Sequence, residues 1–416
     1  MEKSSIHVNF ERLKQTLDKS SQIGKIPDDG LRRLALSNDD KQMREVFVRW
    51  LELGGLDIRI DDIGNMYGRR SGLTDLPPVL IGSHLDTQPN GGRFDGILGV
   101  LTALEVLRTL NDNDIKTMRP IEIVNFTNEE GARFEPPLLG SGGIAEVFDR
   151  NFIYSRMDRN GNTFKEELEK IGFKGDSENR IKDIHSFLEL HIEQGPVLEN
   201  EQISIGAVEG IKGMSWFELR VIGEGGHAGP TPMAMRRDAL MVAAKLILHI
   251  EEKGELSGPE TSVTIGRMSV KPDVVNCIPE EVLFSLDIRH IDDNVRERLI
   301  DELKKELKEI AQGHKVQLEF NKLWEVKTST FHPEIVNLIC NGSKKLGYSV
   351  KRMFSGAGHD AKYINRIAPT SMIFLPSVGG KSHVEAELTL DSDIEKGANI
   401  LLHSVLELSN YKESLS

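Results

Sequence analysis

The sequence has only two cysteines, Cys277 and Cys340. That is too few for a disulfide framework or a thiolate metal site, and it suits a reducing compartment. Positive charge is also scarce: 52 Lys and Arg stand against 65 Asp and Glu, a formal charge of −13 over 416 residues. No Lys/Arg-rich stripe interrupts this excess, so nucleic acid is disfavoured and a small molecule is the expected partner. Nowhere is there the apolar run of ~18 residues that a bilayer crossing needs. The opening Met1-Glu2-Lys3-Ser4-Ser5 lacks the basic and then apolar segments of a secretory signal. A cytoplasmic protein with no membrane association is expected. Repeats and low-complexity segments are missing too. What remains is ordinary, 38% hydrophobic and 28% charged, the composition of a chain that folds by itself.

The length suggests two domains at roughly 150 residues each. Val46 to Leu53 has helical periodicity, Pro78 to Gly82 is an apolar run of buried-strand length, and Gly96 to Leu110 is again helical. Ile121–Phe126, Phe187–Leu190 and Ser371–Leu375 read as further strands of the same set. Strands alternating with helices predict an α/β fold with a mostly parallel sheet. From about Gly210 to Val326 the pattern becomes strand (Trp216–Ile222), helix (Arg236–Lys253), strand (Thr261–Ser269), strand (Glu281–Arg289), helix (Asp293–Gln312) and strand (Val316–Leu323). That order, βαββαβ, is ferredoxin-like. The expected division is a discontinuous catalytic domain, residues 1–210 and 327–416, interrupted by a smaller domain over 211–326.

Metal-ligand residue types gather beyond the carboxyl ends of the first set of strands, where open α/β sheets carry their sites. His84 follows the first strand, Glu129-Glu130 the second, His191 the third, and His383 comes some way after the last. Asp95 opens the helix after His84 and can fold back to the same edge. Imidazoles mixed with carboxylates suit zinc, manganese or cobalt better than calcium. Any one of these residues is explained by a satisfied histidine or a solvated acidic pair. Their joint placement is explained at once by a single site.

The surrounding segments are Gly82-Ser83-His84-Leu85-Asp86-Thr87, Asn90-Gly91-Gly92-Arg93-Phe94-Asp95-Gly96, Asn128-Glu129-Glu130-Gly131-Ala132-Arg133-Phe134 and Leu188-Glu189-Leu190-His191-Ile192-Glu193-Gln194-Gly195-Pro196. With Gly226-His227-Ala228-Gly229-Pro230, Asp287-Ile288-Arg289 and Ser382-His383, they resemble the amidase, hydantoinase and carbamoylase branch of the di-metal carboxypeptidase and aminoacylase clan. The resemblance runs over nearly the whole chain. It implies two divalent ions per subunit, zinc or else manganese or cobalt. Asp95 would bridge them, with His84 and His191 completing one and Glu130 and His383 the other.

The resemblance further implies that Glu129 is the general base, and Asp86, two residues past His84, is the expected hydrogen-bond acceptor that orients that imidazole from behind. His191 stands where the clan's peptidases commonly carry an acid, which favours the carbamoylase branch, and Gln88-Pro89 looks most like its β-ureidopropionases. Val384-Glu385-Ala386-Glu387 departs from the pattern by lacking the proline often found after the last histidine.

In the smaller domain, His227 resembles the lid histidine that reaches a metal site across a dimer interface. The domain is therefore expected to be a lid and dimerisation domain of a homodimer. Asn276 and Arg289 resemble the substrate-binding pair. An arginine can clamp a carboxylate with two parallel hydrogen bonds, although a strand-end arginine in isolation is usually a surface ion-pair partner. Gln194, Gly358 and His359 match positions lining the pocket.

The expected activity is hydrolysis of the ureido group of N-carbamoyl α- or β-amino acids to amino acid, ammonia and carbon dioxide. Allantoate amidohydrolase is the alternative, since allantoate also presents a carboxylate and ureido groups. Aminoacylase or dipeptidase activity, and a catalytically silent ligand-binding homologue, stand behind it.

Overall fold

The computed structural model describes residues 6–411 and 415. Its strands in chain order begin with β1 (Asp57–Ile60), β2 (Met66–Arg70), β3 (Val79–His84), β4 (Ile121–Phe126), β5 (Ser186–Ile192) and β6 (Ile205–Ile211). There follow β7 (Gly213–Ile222), β8 (Gly226–His227), β9 (Ser262–Thr264), β10 (Met268–Lys271), β11 (Cys277–Ile278) and β12 (Glu281–His290). The last are β13 (Gln317–Val326), β14 (Ser329–Thr330), β15 (Val350–Ser355) and β16 (Thr370–Leu375). The chain divides into two compact units, residues up to Glu209 with those from Phe331 onward, and Gly210–Thr330. The return falls later than position 327 because Ser329 and Thr330 pair with Ile211 and Gly210.

In the first unit β3, β4, β5 and β16 are buried along their whole length, as strands covered on both faces must be. They form the parallel centre of a sheet ordered β1-β2-β4-β3-β5-β16-β6, with β15 also on β6. The sheet is mixed rather than mostly parallel. β1 pairs antiparallel with β2, β2 with β4, and β6 with β16. The segment joining β1 to β2 is too short for a parallel crossover, so that pair closes as a hairpin. Ile97–Asp112 packs on β3 and β5, and Asp391–Leu408 on β16 and β5. Asn38–Leu53 starts where the Ser37 hydroxyl accepts the Asp40 N–H at 3.2 Å, and it buries Met43, Phe47 and Leu51 at helical spacing. Burying a side chain such as Phe47 is worth roughly 1.5 to 3 kcal/mol.

In the second unit the antiparallel order is β13-β7-β12-β10, with β9 also on β12. Helices Ala239–Leu256 and Asp293–Gly313 bury Val242, Leu246, Leu299 and Leu303 against Phe217, Leu219, Phe284 and Leu286 of the sheet. Two local features differ from the sequence pattern. The single strand expected over Thr261–Ser269 is broken: Thr264 faces Asp287 while Met268 faces Phe284, so one extra residue bulges out. The helix expected from Arg236 begins at Ala239, because the Asp238 carboxylate caps the N–H groups of Leu240 and Met241 at 3.0 and 3.1 Å. Among the described residues no helix is long and apolar enough to cross a membrane.

Candidate metal centre

Because β3, β4, β5 and β16 run parallel, their carboxyl ends share one edge, and the chemistry collects there. His84 is the last residue of β3 and His191 the next-to-last of β5. Asn128-Glu129-Glu130 follows β4, and His383 lies on the loop after β16. Asp95 reaches the same place through Gly96, which has φ +65° and whose missing Cβ would lie 2.2 Å from the His84 ring. Only glycine fits both the left-handed backbone and that approach.

Two donor groups result, His84 with Asp95 and His191, and Asp95 with Glu130 and His383. Asp95 Oδ1 lies 3.6 Å from His84 Nε2 and 3.2 Å from His191 Nε2, while Oδ2 lies 3.4 Å from His383 Nε2. Glu130 Oε2 is 3.5 Å from His383 Nε2. Donors held ~2.0 to 2.2 Å from one tetrahedral ion lie roughly 3.3 to 3.6 Å apart, so most of these separations suit ligands of an ion better than hydrogen-bond partners.

The Nδ1 atoms of His84 and His191 each stand 2.9 Å from a main-chain carbonyl, those of Asp86 and Ile192. A carbonyl only accepts, so Nδ1 carries a hydrogen and Nε2 is the nitrogen turned toward Asp95, where it offers a lone pair once deprotonated, as a metal-ligating imidazole requires. Among the described residues, His84 Nε2 is buried without a hydrogen-bond partner. An orphaned imidazole nitrogen facing shared carboxylates fits a divalent cation.

Charge crowding points the same way. In the metal-free chain, burial and then the charge of Asp95 push Glu130 up to about 7. Burial also holds Glu129 well above the usual carboxylate range. Its Oε2 lies 3.5 Å from His84 Nε2, facing the first group. Contact with Asp95 raises His383 to about 9. Burial opposes charge on His84, yet Glu129, Asp95 and Asp86 outweigh it and hold that imidazole well above its ordinary value. A third combination, Glu189 with His191 and His359, is also close enough to hold an ion. Its outer members are already engaged, Glu189 by the Ser83 hydroxyl at 2.6 Å and the Ala361 N–H at 3.2 Å, and His359 by Ser355 at 3.1 Å.

Around the centre one expected contact takes another form. The Asp86 carboxylate does not hydrogen-bond the His84 ring, which its own main-chain oxygen occupies, but accepts the N–H groups of Glu129 and Glu130 at 3.3 Å each. Gln194 donates to Asp95 Oδ2 at 2.7 Å. His359 is buried edge-on to His191, with ring centres 4.5 Å apart, whereas Gly358 is half-buried. Asn128, Gln194 and His383 all have φ near +60°, a conformation that costs non-glycine residues about 1 to 3 kcal/mol and clusters at functional sites.

Within the second unit, β8 pairs with β11, and Ala228 N–H donates to Asn276 O at 2.9 Å, so exposed His227 and Asn276 are neighbours. Arg289 lies on β12, where its Nε and Nη2 engage the Asp287 carboxylate, the latter at 2.7 Å.

Residues 80–407 match the model of peptidase family M20/M25/M40. The chain belongs to this family. An N-carbamoyl-L-amino-acid amidohydrolase of Rhizobium meliloti is 40% identical over 407 residues, 98% of each chain. An allantoate amidohydrolase of Escherichia coli is 33% identical, covering 96% of this chain and 98% of that one. Among solved structures, an amidase of the hydantoinase/carbamoylase family from Burkholderia multivorans superposes with a TM-score of 0.96 at 42% identity, covering 98% and 99%.

For this M20 chain the sequence reading assigned no role to Gln88, Glu189, Ser382 or Glu387, although each contacts the centre or its immediate support. Gln88 lies between two motifs of the resemblance, Glu189 and Ser382 lie within them, and Glu387 lies just past the last histidine, so proximity to the motifs was the available signal. Which atoms each one meets was not legible, since Gln88 reaches Glu130, Glu189 reaches Ser83 and Glu387 reaches Asp95 from distant segments.

Proposed function

We propose that the chain hydrolyses the ureido group of N-carbamoyl amino acids at a two-metal centre, as a homodimer. The observation that supports this best is the shared carboxylate, with one Asp95 oxygen turned to His84 and His191 and the other to His383 beside Glu130. It stands in a chain 40% identical to an N-carbamoyl-L-amino-acid amidohydrolase across 98% of both lengths. His84, Asp95, Glu130, His191 and His383 are the proposed ligands. Zinc, or else manganese or cobalt, bound there would supply Lewis acidity and make water more acidic.

The chain's own groups do the rest. Glu129, buried and held well above the usual carboxylate range, takes the proton of the attacking water and returns it to the leaving nitrogen. Gln194 keeps Asp95 oriented through its 2.7 Å contact. Arg289 and Asn276 are the proposed carboxylate-recognising pair, and His227 the donor to the developing oxyanion. Gly358 and His359 belong to the support of the pocket. The second unit acts as lid and dimerisation domain.

A kinetic panel on stripped enzyme reloaded with zinc, manganese or cobalt tests the reading. N-carbamoyl-L-methionine or N-carbamoyl-β-alanine should be turned over with the highest kcat/KM. The allantoate amidohydrolase relative supports the second reading. Preference for allantoate would replace the first substrate class with that one, and inertness toward all three would reject both.

A further inference from the structure

Glu387 lies four residues beyond His383 and is buried beside Asp95. Its Oε1 accepts the main-chain N–H groups of Phe94 and Asp95, both at 3.0 Å. Its Oε2 lies 3.0 Å from the Ser382 hydroxyl, and that hydroxyl lies 2.8 Å from Asp95 Oδ2. The four contacts close a ring that runs from the Asp95 main chain through Glu387 and Ser382 back to the Asp95 carboxylate. Gly92 permits the approach, since a Cβ there would fall 2.3 Å from Glu387 Oε1 and 2.4 Å from its Cβ.

A carboxylate can rotate about χ2 with little resistance, so something must decide which oxygen of Asp95 faces which donor group. Gln194 and Ser382 both contact Oδ2. Ser382 is placed in turn by Glu387, which also fixes the peptide from which the Asp95 side chain departs. We propose that Glu387 is a positioning residue for the metal centre, holding Asp95 with one oxygen toward His84 and His191 and the other toward His383. The inference rests on Asp95 being a ligand shared by both ions.

The geometry predicts which substitution preserves the role. Ser382 has one hydroxyl hydrogen and two carboxylate oxygens within reach, so it satisfies Asp95 or Glu387 but not both at once. Glutamine at position 387 keeps an oxygen for the two main-chain N–H groups and brings its own N–H to the Ser382 oxygen. Alanine loses every contact. Ser382→Ala removes the arm to the carboxylate and leaves the main-chain contacts.

Zinc titration calorimetry on the full-length, chelator-stripped protein tests this with Glu387→Gln, Glu387→Ala, Ser382→Ala and Asp95→Ala, each checked for native circular dichroism. Substitution of a residue that orients metal ligands typically costs about 10- to 100-fold in affinity. Glu387→Ala is expected to weaken both zinc sites within that range, because both use Asp95. Ser382→Ala should weaken them less, and Glu387→Gln should stay within about threefold of the parent, below that cost. Unchanged affinity in Glu387→Ala, or equal weakening by Gln and Ala, overturns the positioning role. Should Glu387→Ala fail to fold, Ser382→Ala decides: parental affinity in that variant overturns the proposal. Retention of both ions by Asp95→Ala would instead overturn the shared-ligand reading itself.

Discussion

Both carboxylate oxygens of Glu130 are held by Gln88, whose main-chain N–H reaches Oε1 at 3.1 Å and whose side-chain amide reaches Oε2 at 2.7 Å. A proposed ligand gripped at both oxygens has little freedom left to lose on binding an ion. Gln88→Ala should therefore weaken binding of the ion proposed between Glu130 and His383 by about tenfold, with the ion proposed between His84 and His191 little changed. Metal content after graded dialysis against a chelator reads this directly. Simultaneous loss of both ions would show that Gln88 supports the loop and not this ligand.

Glu129 and its neighbour divide the work in the proposed function, so their amide variants should separate. General acid–base groups contribute about 100- to 10,000-fold, and Glu129→Gln should lower kcat by at least about a hundredfold while the metal content stays at two ions. Glu130→Gln should lose metal. If the metal losses come out reversed, the adjacent carboxylates have been assigned the wrong way round.

Arg289 is engaged by Asp287 on the same strand, which fixes the plane of its guanidinium before any substrate arrives. Lysine cannot reproduce a planar two-point grip. Arg289→Lys is expected to raise KM for N-carbamoyl amino acids by about tenfold or more, the value of a charge-assisted hydrogen bond, without altering metal content. An equal loss on an analogue with no carboxylate would make Arg289 a structural ion-pair member only.

Metal uptake should depend on pH in a stated direction. In the metal-free chain His383 titrates at about 9 and Glu130 at about 7. Both lie above their ordinary values, as does His84, so at neutral pH an incoming ion must displace the His84 and His383 protons and part of the Glu130 proton. Affinity is then weakest below 7 and rises through the 7 to 9 window, approaching about tenfold per pH unit for each proton released. Calorimetry at pH 6.5 and 8 in two buffers of different ionisation enthalpy measures both the affinity and the protons. Uptake without proton release would contradict the assignment.

The amino-acid sequence by itself determined the buried strands, the inserted strand–helix pattern and the residue types available at the strand ends. Apolar runs and their periodicity are local properties, and β3, β4, β5 and β16 can be read from them without knowing any partner. It did not determine the mixed direction of the sheet's flanks, where β2 lies on β4 and β6 on β16, pairs that are not consecutive in the chain. Nor did it determine which atoms meet. Glu387 reaches Asp95 across 292 positions, and Asp86 reaches Glu129 across 43. Asp86 was legible as a neighbour of His84, but the structure gives its carboxylate to two peptide N–H groups and its carbonyl to the ring. His359 was legible as a motif residue, and burial against His191 became visible only once β5 and the loop before β16 had come together. Hydrogen bonds are short and directional, so their partners are chosen by the final position of a few atoms. Only the folded chain sets that position.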